Sequence, residues 1–491
     1  MKLRSVDLEH PEQVPPARKA LFSMLSVGLQ GGSRFISNWL IGRIAGQLAL
    51  GGVASATALA FTLNTLWPSS AQGGASKFIA RARGKQDPDE VRAVAAHLSR
   101  RVLQVTGALA VLAPPIWVLL YGGAWWEGLC VSAILITVAS SSFARGVHFG
   151  SGHVARSARV DLVASGFGIG FTVLLLLLGV RSIALSLPLS VSLGIYSLLC
   201  WPWSGSGRPD RELRSEIDKF ITFSSLGSLA SAGMLQISQL IARSLGEAAA
   251  GEYAPALQLV TPLSLITSAL IMVLFPAMAE AQGSGDRDRI RKQTDAVTRA
   301  FMAILVPIFG ALAIASRPVM ALVWGTRFEG AAHLMPVFCL ALLLNNLAAP
   351  SVASVTSGPH RNMWYSMLLS QAGLVAAIIG WVVLVPPLGV LGVAVGYGIG
   401  AALTAVSLFC VAWRMNSQRW FGLSIQILIG VAVIIAASVW RHLSPVDYLI
   451  DSLVAAGFAL AWLAVFGRRV IGLLRSRRSG GGDKGDPGEG H

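Results

Sequence analysis

Acidic side chains are missing from the middle of every apolar run in this chain. Asp161, Glu252, Asp447 and Asp451 fall toward the ends of runs, and the rest lie in polar segments. That absence speaks against a carrier of organic cations, which normally buries a carboxylate for proton or sodium coupling. Charge of either sign is scarce, at 13% of residues, about half of what a soluble domain carries. Cysteine is limited to Cys130, Cys200, Cys339 and Cys410. None has CxxC spacing and all lie in apolar runs, so no disulfide framework or metal site is implied. Gly-rich phosphate loops, HExxH and GxSxG are absent, and His97, His148, His153, His333 and His360 are scattered. No cofactor or metal is expected. The longest segment on one side of the apolar runs surrounds 317–330. Enzymes acting on lipid-linked sugars usually need a larger outer domain or acidic residues at the membrane edge, so the chain is not expected to be an enzyme. The first apolar run follows a polar segment, so no cleavable leader is expected.

What the chain has is hydrocarbon. Apolar residues make up 54% of its 491 positions, and the mean hydropathy is +0.63. Runs long enough to span a bilayer recur throughout, about fourteen in all. They cover 21–43, 49–72, 99–121, 127–148, 160–180, 183–203, 220–242, 251–277, 298–316, 332–351, 363–385, 388–412, 422–440 and 447–467. The fold class is an all-α polytopic membrane protein.

The chain also repeats itself. ARARGKQDPDEVR begins at Ala80 and AEAQGSGDRDRIR at Ala279. In that register Ala82, Gly84, Asp87, Asp89 and Arg92 meet Ala281, Gly283, Asp286, Asp288 and Arg291. Gly46 and Gly51 fall on Gly246 and Gly251, and PIWVLLYG at Pro115 is echoed by PVMALVWG at Pro318. Spans 1–3 map onto spans 7–9, so each repeat holds six spans. Six is even, so the repeats are parallel. The expected organisation is a six-helix bundle at 1–203, a linker at 204–216, a second bundle at 217–415, two extra spans at 416–478 and a low-complexity tail at 479–491.

Basic residues crowd the side of the membrane that carries the N-terminus. The opposite loops hold Arg43, Arg181, Arg243, Arg317, Arg327 and Arg441. The bias places both termini in the cytoplasm. The net charge of +15 becomes a one-sided coat facing anionic lipid headgroups, with no nucleic-acid partner implied.

One charge does sit mid-span. Arg34 lies within LFSMLSVGLQGGSRFISNWLIGRI, and a mid-bilayer arginine costs at least about 2.5–3.5 kcal/mol on insertion scales, so it should face protein or water. Ser23, Ser26, Gln30, Ser33 and Ser37 recur at helical spacing around it, with Asn38 beside them. Gly28, Gly31 and Gly32 would let the span bend. Further polar candidates are Asn64 on span 2, Gln236 and Gln239 on span 7, and Gln258 on span 8. The competing reading is that the serines, threonines and glutamines are glue between helices. A fixed positive charge without a countercharge suits a phosphate or pyrophosphate, and Asn, Gln and Ser suit sugar hydroxyls.

Six plus six spans in parallel repeat plus two, the repeated amphipathic linkers, FPAMAEAQGSGDRDRIRKQTDAVTRAF, GEYAPALQLV and LVWGTRFEGAAHLMPVF together resemble the MOP flippase superfamily. Within it the chain looks most like the polysaccharide-export (Wzx-type) branch, related to the MurJ-type lipid II flippases and the multidrug exporters. The resemblance implies two bundles that alternate in access around a cationic cavity. The cargo would be a polyprenyl-diphosphate-linked oligosaccharide, carried across a bacterial plasma membrane by a monomer, with polysaccharide assembly proteins as further partners. Arg34 is the cavity cation that carries over. Lipid II flippases have several arginines in spans 1, 2 and 8, whereas spans 2 and 8 here have none in their interiors. The multidrug exporter, the lipid II flippase, a membrane glycosyltransferase and a scaffold that has lost transport stay open as alternatives.

Overall fold

The computed structural model describes residues 16–264, 267, 287–356 and 360–467. All regular structure among them is helical. The first part runs α1 (Pro16–Ile44), α2 (Gln47–Thr65), α3 (Pro68–Gly84), α4 (Pro88–Tyr121), α5 (Trp125–Ser151), α6 (Val154–Leu177), a 3-10 turn (Ile183–Ser186) and α7 (Leu187–Cys200). Then α8 (Arg211–Ser228), a π turn (Leu229–Gly233) and α9 (Met234–Ser244) form one continuous rod, and α10 (Glu247–Val260) follows after a break at Gly246. The remainder is α11 (Arg287–Ile314), α12 (Ser316–Val323), a 3-10 segment (Thr326–His333), α13 (Met335–Thr356), α14 (His360–Leu388), α15 (Val390–Met415), α16 (Phe421–Leu443) and α17 (Tyr448–Trp462).

Twelve helices among the described residues are long and apolar enough to cross a membrane. They do not include α1, whose hydropathy is diluted by Arg34 and its serines and glycines. The eighth expected span, 251–277, lies partly outside the described residues, as does most of the second copy of the repeated linker. Large apolar side chains cover the outer surface, with Leu119 85%, Leu177 81% and Leu443 83% exposed. Such a belt is stable against lipid and not against water. The protein is a multi-pass membrane protein.

Helix ends follow local chemistry. Asp87 caps α4 by accepting from the Glu90 N–H at 2.9 Å, with Pro88 at the first helical position. Gly122 ends α4 in the left-handed conformation at φ 63°. Pro114 has no N–H to give, so the Ala110 carbonyl loses its helical partner. The Ser132 hydroxyl of α5 donates to that carbonyl at 2.7 Å, the kind of repair a proline inside a membrane helix requires.

Three expected boundaries move. Span 2 was read as 49–72, but α2 ends at Thr65 and α3 starts anew at Pro68, because the residue before a proline is driven out of helical geometry. The linker 77–97 is a helix–turn–helix, with its turn at Lys85–Asp87. Segment 317–330 is largely α12 and the 3-10 segment.

The repeat is visible in the backbone. Gly46 and Gly246 both precede a helix at positive φ, 92° and 125°. Gly122 and Gly325 also match, at 63° and 95°. Gly51 and Gly251 touch each other. A Cβ on Gly51 would stand 2.7 Å from the Gly251 nitrogen and 2.9 Å from the Glu247 oxygen, and one on Gly251 would stand 2.6 Å from the Gln47 oxygen. Residues 47 and 51 thus meet 251 and 247 reciprocally, the signature of a two-fold contact.

Around this crossing, α1 packs along α6, and α5 lies among α3, α4 and α7. Helix α15 packs on α13 and α14, while α16 and α17 pack on α11. At the end of α1 far from the N-terminus, Arg43 donates to the Val323 and Leu322 carbonyls at 2.9 and 2.6 Å, and the Trp39 indole to Val323 at 2.6 Å. A cation thus closes the C-terminus of α12.

Candidate functional site

Arg34 lines a small cavity among α1, α2, α6, the 3-10 turn and α7. Ser33, Ser37 and Asn38 join it from α1, Thr57 from α2, Ser165 and Thr172 from α6. The Thr172 hydroxyl donates to the Ser37 hydroxyl at 3.2 Å. The free space is about 30 Å³, room for a water or two. The half-buried Arg34 guanidinium stacks over the Phe61 ring at 4.7 Å, a cation–π contact. No carboxylate among the described residues pairs with it.

The other buried cations behave differently. Arg145 (α5) donates to Asp161 (α6) at 2.8 Å, with side chains 6% and 5% exposed. Arg145 also donates to the Gln30 side chain, and Ser26 donates to the second Asp161 oxygen. Arg145 stacks on Tyr196 of α7 at 4.8 Å, and Tyr196 bonds Ser157 at 2.7 Å. This network fastens α1 to α5, α6 and α7. In the same way Arg441 pairs with Asp451 at 2.5 Å, tying α16 to α17. In the sequence Arg145 falls near the end of span 127–148 and Asp161 near the start of span 160–180, where charge reads as a span boundary. The available signal was complementary charge at 145 and 161 on two runs joined by a short turn.

The expected site residues therefore divide. Arg34 and Asn38 line one cavity. Gln30 belongs to the ion-pair network. Asn64 is buried on α2 with its carbonyl oxygen unpartnered among the described residues. Gln239 is buried on α9 and donates to the Ala250 carbonyl at 3.4 Å. Gln258 on α10 keeps a buried oxygen without a partner among the described residues, and Gln236 is half-buried on α9. None of Asn64, Gln236, Gln239 and Gln258 lines the Arg34 cavity. That cavity lies wholly among helices preceding residue 204.

A second, apolar feature lies in the other half. A groove of about 620 Å³ runs between α13, α15 and α16. Leu340, Leu344, Ile399 and Ile435 line it, with Ser438 and His442 toward one end.

Among solved structures the chain is similar to the lipid II flippase MurJ in its inward closed conformation, with a TM-score of 0.65, 13% identity, and coverage of 92% of this chain and 99% of that one. It is also similar to an inward-facing multidrug resistance MATE family transporter of the MOP superfamily, with a TM-score of 0.62, 15% identity, and coverage of 80% and 98%. The chain shares the fold of these two transporters. A MOP superfamily transporter from Pyrococcus furiosus, described as having a binding pocket of reversed polarity, matches with a TM-score of 0.59, 17% identity, and coverage of 82% and 95%. Residues 129–333 match the model of a polysaccharide biosynthesis protein family. No curated protein matches the chain. The matched segment runs from α5 to the 3-10 segment before α13.

Proposed function

We propose that the protein is a flippase that carries a polyprenyl-diphosphate-linked oligosaccharide, a precursor of cell-surface polysaccharide, across a bacterial plasma membrane by alternating access and without covalent change. The observation that carries this reading is the contrast among the buried cations. Arg145 and Arg441 each hold a carboxylate, whereas Arg34 faces hydroxyls and amides with no acid among the described residues. An unpaired guanidinium inside a membrane is a receptor for an anion, and its planar fork fits a diphosphate. The polysaccharide biosynthesis match supports a glycan cargo. The α13/α15/α16 groove supports a lipid tail held outside the polar path.

The described form is closed around Arg34, so cargo enters after α1 has moved from α6 and α7. Gly28 and Gly32 of α1 have open space where a Cβ would stand, which leaves that helix free to bend. Both termini face the cytoplasm in this proposal, and the inside-negative potential favours outward movement of a phosphate by about 2.3 kcal/mol per charge per 100 mV. The two halves, 1–203 and 217–415, are the moving bodies.

A multidrug exporter is favoured by one observation, the buried Asp161. Its charge is already matched by Arg145, leaving nothing to attract a cationic drug.

The test is Arg34→Ala in a liposome flipping assay with a polyprenyl-diphosphate glycan. The rate should drop roughly ten- to hundredfold, the worth of one or two charge-assisted hydrogen bonds. Arg34→Lys should keep part of it, since the charge survives while the fork is lost. Wild-type flipping by Arg34→Ala sinks the anionic-cargo reading.

A further inference from the structure

The face of the molecule carrying the N-terminus holds a pocket of about 380 Å³ between α4 and the start of α8. His97, Arg100, Arg101 and Gln104 form one stripe of α4, spaced at i, i+3, i+4 and i+7. Opposite them stand Arg208, Arg211 and Arg214, with Asp218 as the one carboxylate in the lining. Segment 204–210, expected as a free linker, lies against α4. Arg100 donates to the Gly207 carbonyl at 2.6 Å, and Gly205 approaches the Ala96 backbone.

Five guanidiniums therefore share one acid, and that acid is spoken for. Asp218 takes Arg101 at 3.1 Å and His97 at 3.2 Å. Arg100 turns its Nε to the Ala96 carbonyl at 3.2 Å. Arg208, Arg211 and Arg214 have no acceptor among the described residues, and the Arg214 Nε is shut away from water as well. Asp210 and Glu212 flank them in sequence but point away to solvent and do not line the pocket. Converging cations in a partly enclosed site need a counter-anion, and guanidinium forks pair best with planar or tetrahedral oxyanions.

The surroundings indicate the source of that anion. On α4, Leu103 is 53% exposed and Val111 75%; on α8 and just beyond the pocket, Phe223 and Leu226 are exposed too. The pocket thus opens where polar surface gives way to the lipid-facing belt. We propose that it is a phosphate-binding site at the membrane surface, occupied by the headgroup phosphate of an anionic lipid whose acyl chains lie on α4 and α8. The site is separate from Arg34 and does not rest on the cargo proposed above. A phosphate held there would bridge α4, before the linker, to α8, after it.

The experiment uses the full chain in phosphatidylcholine nanodiscs, with the thermal midpoint of unfolding as the readout. In one arm the discs contain phosphatidylglycerol; in the other, inorganic diphosphate is added to pure phosphatidylcholine discs. Phosphatidylglycerol should raise the wild-type midpoint, and the triple variant Arg208→Gln, Arg211→Gln, Arg214→Gln should lose that rise. If the triple variant fails to fold, the exposed pair Arg208→Gln, Arg211→Gln should lose most of it. A rise with diphosphate as well assigns the site to phosphate of either source; a rise with the lipid alone assigns it to the headgroup. A control, Arg83→Gln, Lys85→Gln, Lys292→Gln, removes the same charge elsewhere on that face and should respond like wild type. The proposal is overturned if neither phosphate source shifts the wild type, if the pocket variants respond as wild type does, or if the control loses the response equally.

Discussion

At the scale of single residues, the chain uses arginine in two ways that composition does not separate. Arg145 is a fastener, with Asp161, Gln30 and Tyr196 filling its donors and its face. Arg34 has an aromatic ring and hydroxyl-lined space but no acid. The difference has a measurable cost. Asp161→Ala strands a buried guanidinium and should destabilise by about 3–5 kcal/mol, whereas replacing both partners with apolar residues of similar volume, Arg145→Met with Asp161→Leu, should recover most of the loss. Thermal unfolding of the purified double variant and its two single variants measures this as a double-mutant cycle; single losses that simply add in the double variant would mean the pair is not coupled. Arg34 stands out because charge inside an apolar run is rare, and Asn38 is its neighbour beside the helical stripe. Asp161 was not legible, since it lies only seven residues from the start of its helix. Hydropathy cannot tell a charge that ends a span from one that is neutralised within it.

At the scale of elements, the sequence marked breaks better than it marked partners. Pro68 follows the end of α2 and Asp87-Pro88 opens α4, breaks written in the residues although hydropathy alone runs through the first of them. Which helices would meet was harder to read. Polar stripes on spans 1, 2, 7 and 8 suggested one shared cavity, yet Arg34 is enclosed by α2, α6 and α7, while Gln239 turns to Ala250. The crossing of α2 and α10 leaves a sign in sequence only as a glycine repeated at equivalent places. Its closeness makes a prediction. Gln47 reaches the Ala248 carbonyl at 3.3 Å, so Gln47→Cys with Ala248→Cys, on a background without native cysteines, should be joined by a short thiol cross-linker. Adding Gly51→Leu should force the helices apart and sharply lower the yield. Unchanged cross-linking would place the crossing elsewhere in the membrane-embedded protein.

At the scale of the molecule, the proposed orientation rests on charge. Gln86 and Thr326 are both exposed, and the charge bias puts them on opposite faces. With native cysteines removed, a thiol at 326 should react with an impermeant reagent applied to intact cells, and a thiol at 86 should react only after the cells are opened. Labelling of 86 from outside would invert the proposed topology and with it the direction of transport. Three of the four cysteines to be replaced, Cys130, Cys200 and Cys339, are buried, so alanine or serine there should be checked for folding first.

Backbone touching backbone at Gly51 and Gly251 also has a mechanical meaning. Neither glycine presents a side chain there, so the two rods can swivel about that point, with Gln47 as the polar tie between them. The contact lies near the beginning of α2, a helix of 19 residues and hence about 28 Å long. A fulcrum at Gly51 leaves the stretch to Thr65, about 21 Å, as the lever, so turning by ten degrees would carry the far end about 4 Å. The smallest residues in the chain would then govern its largest displacement.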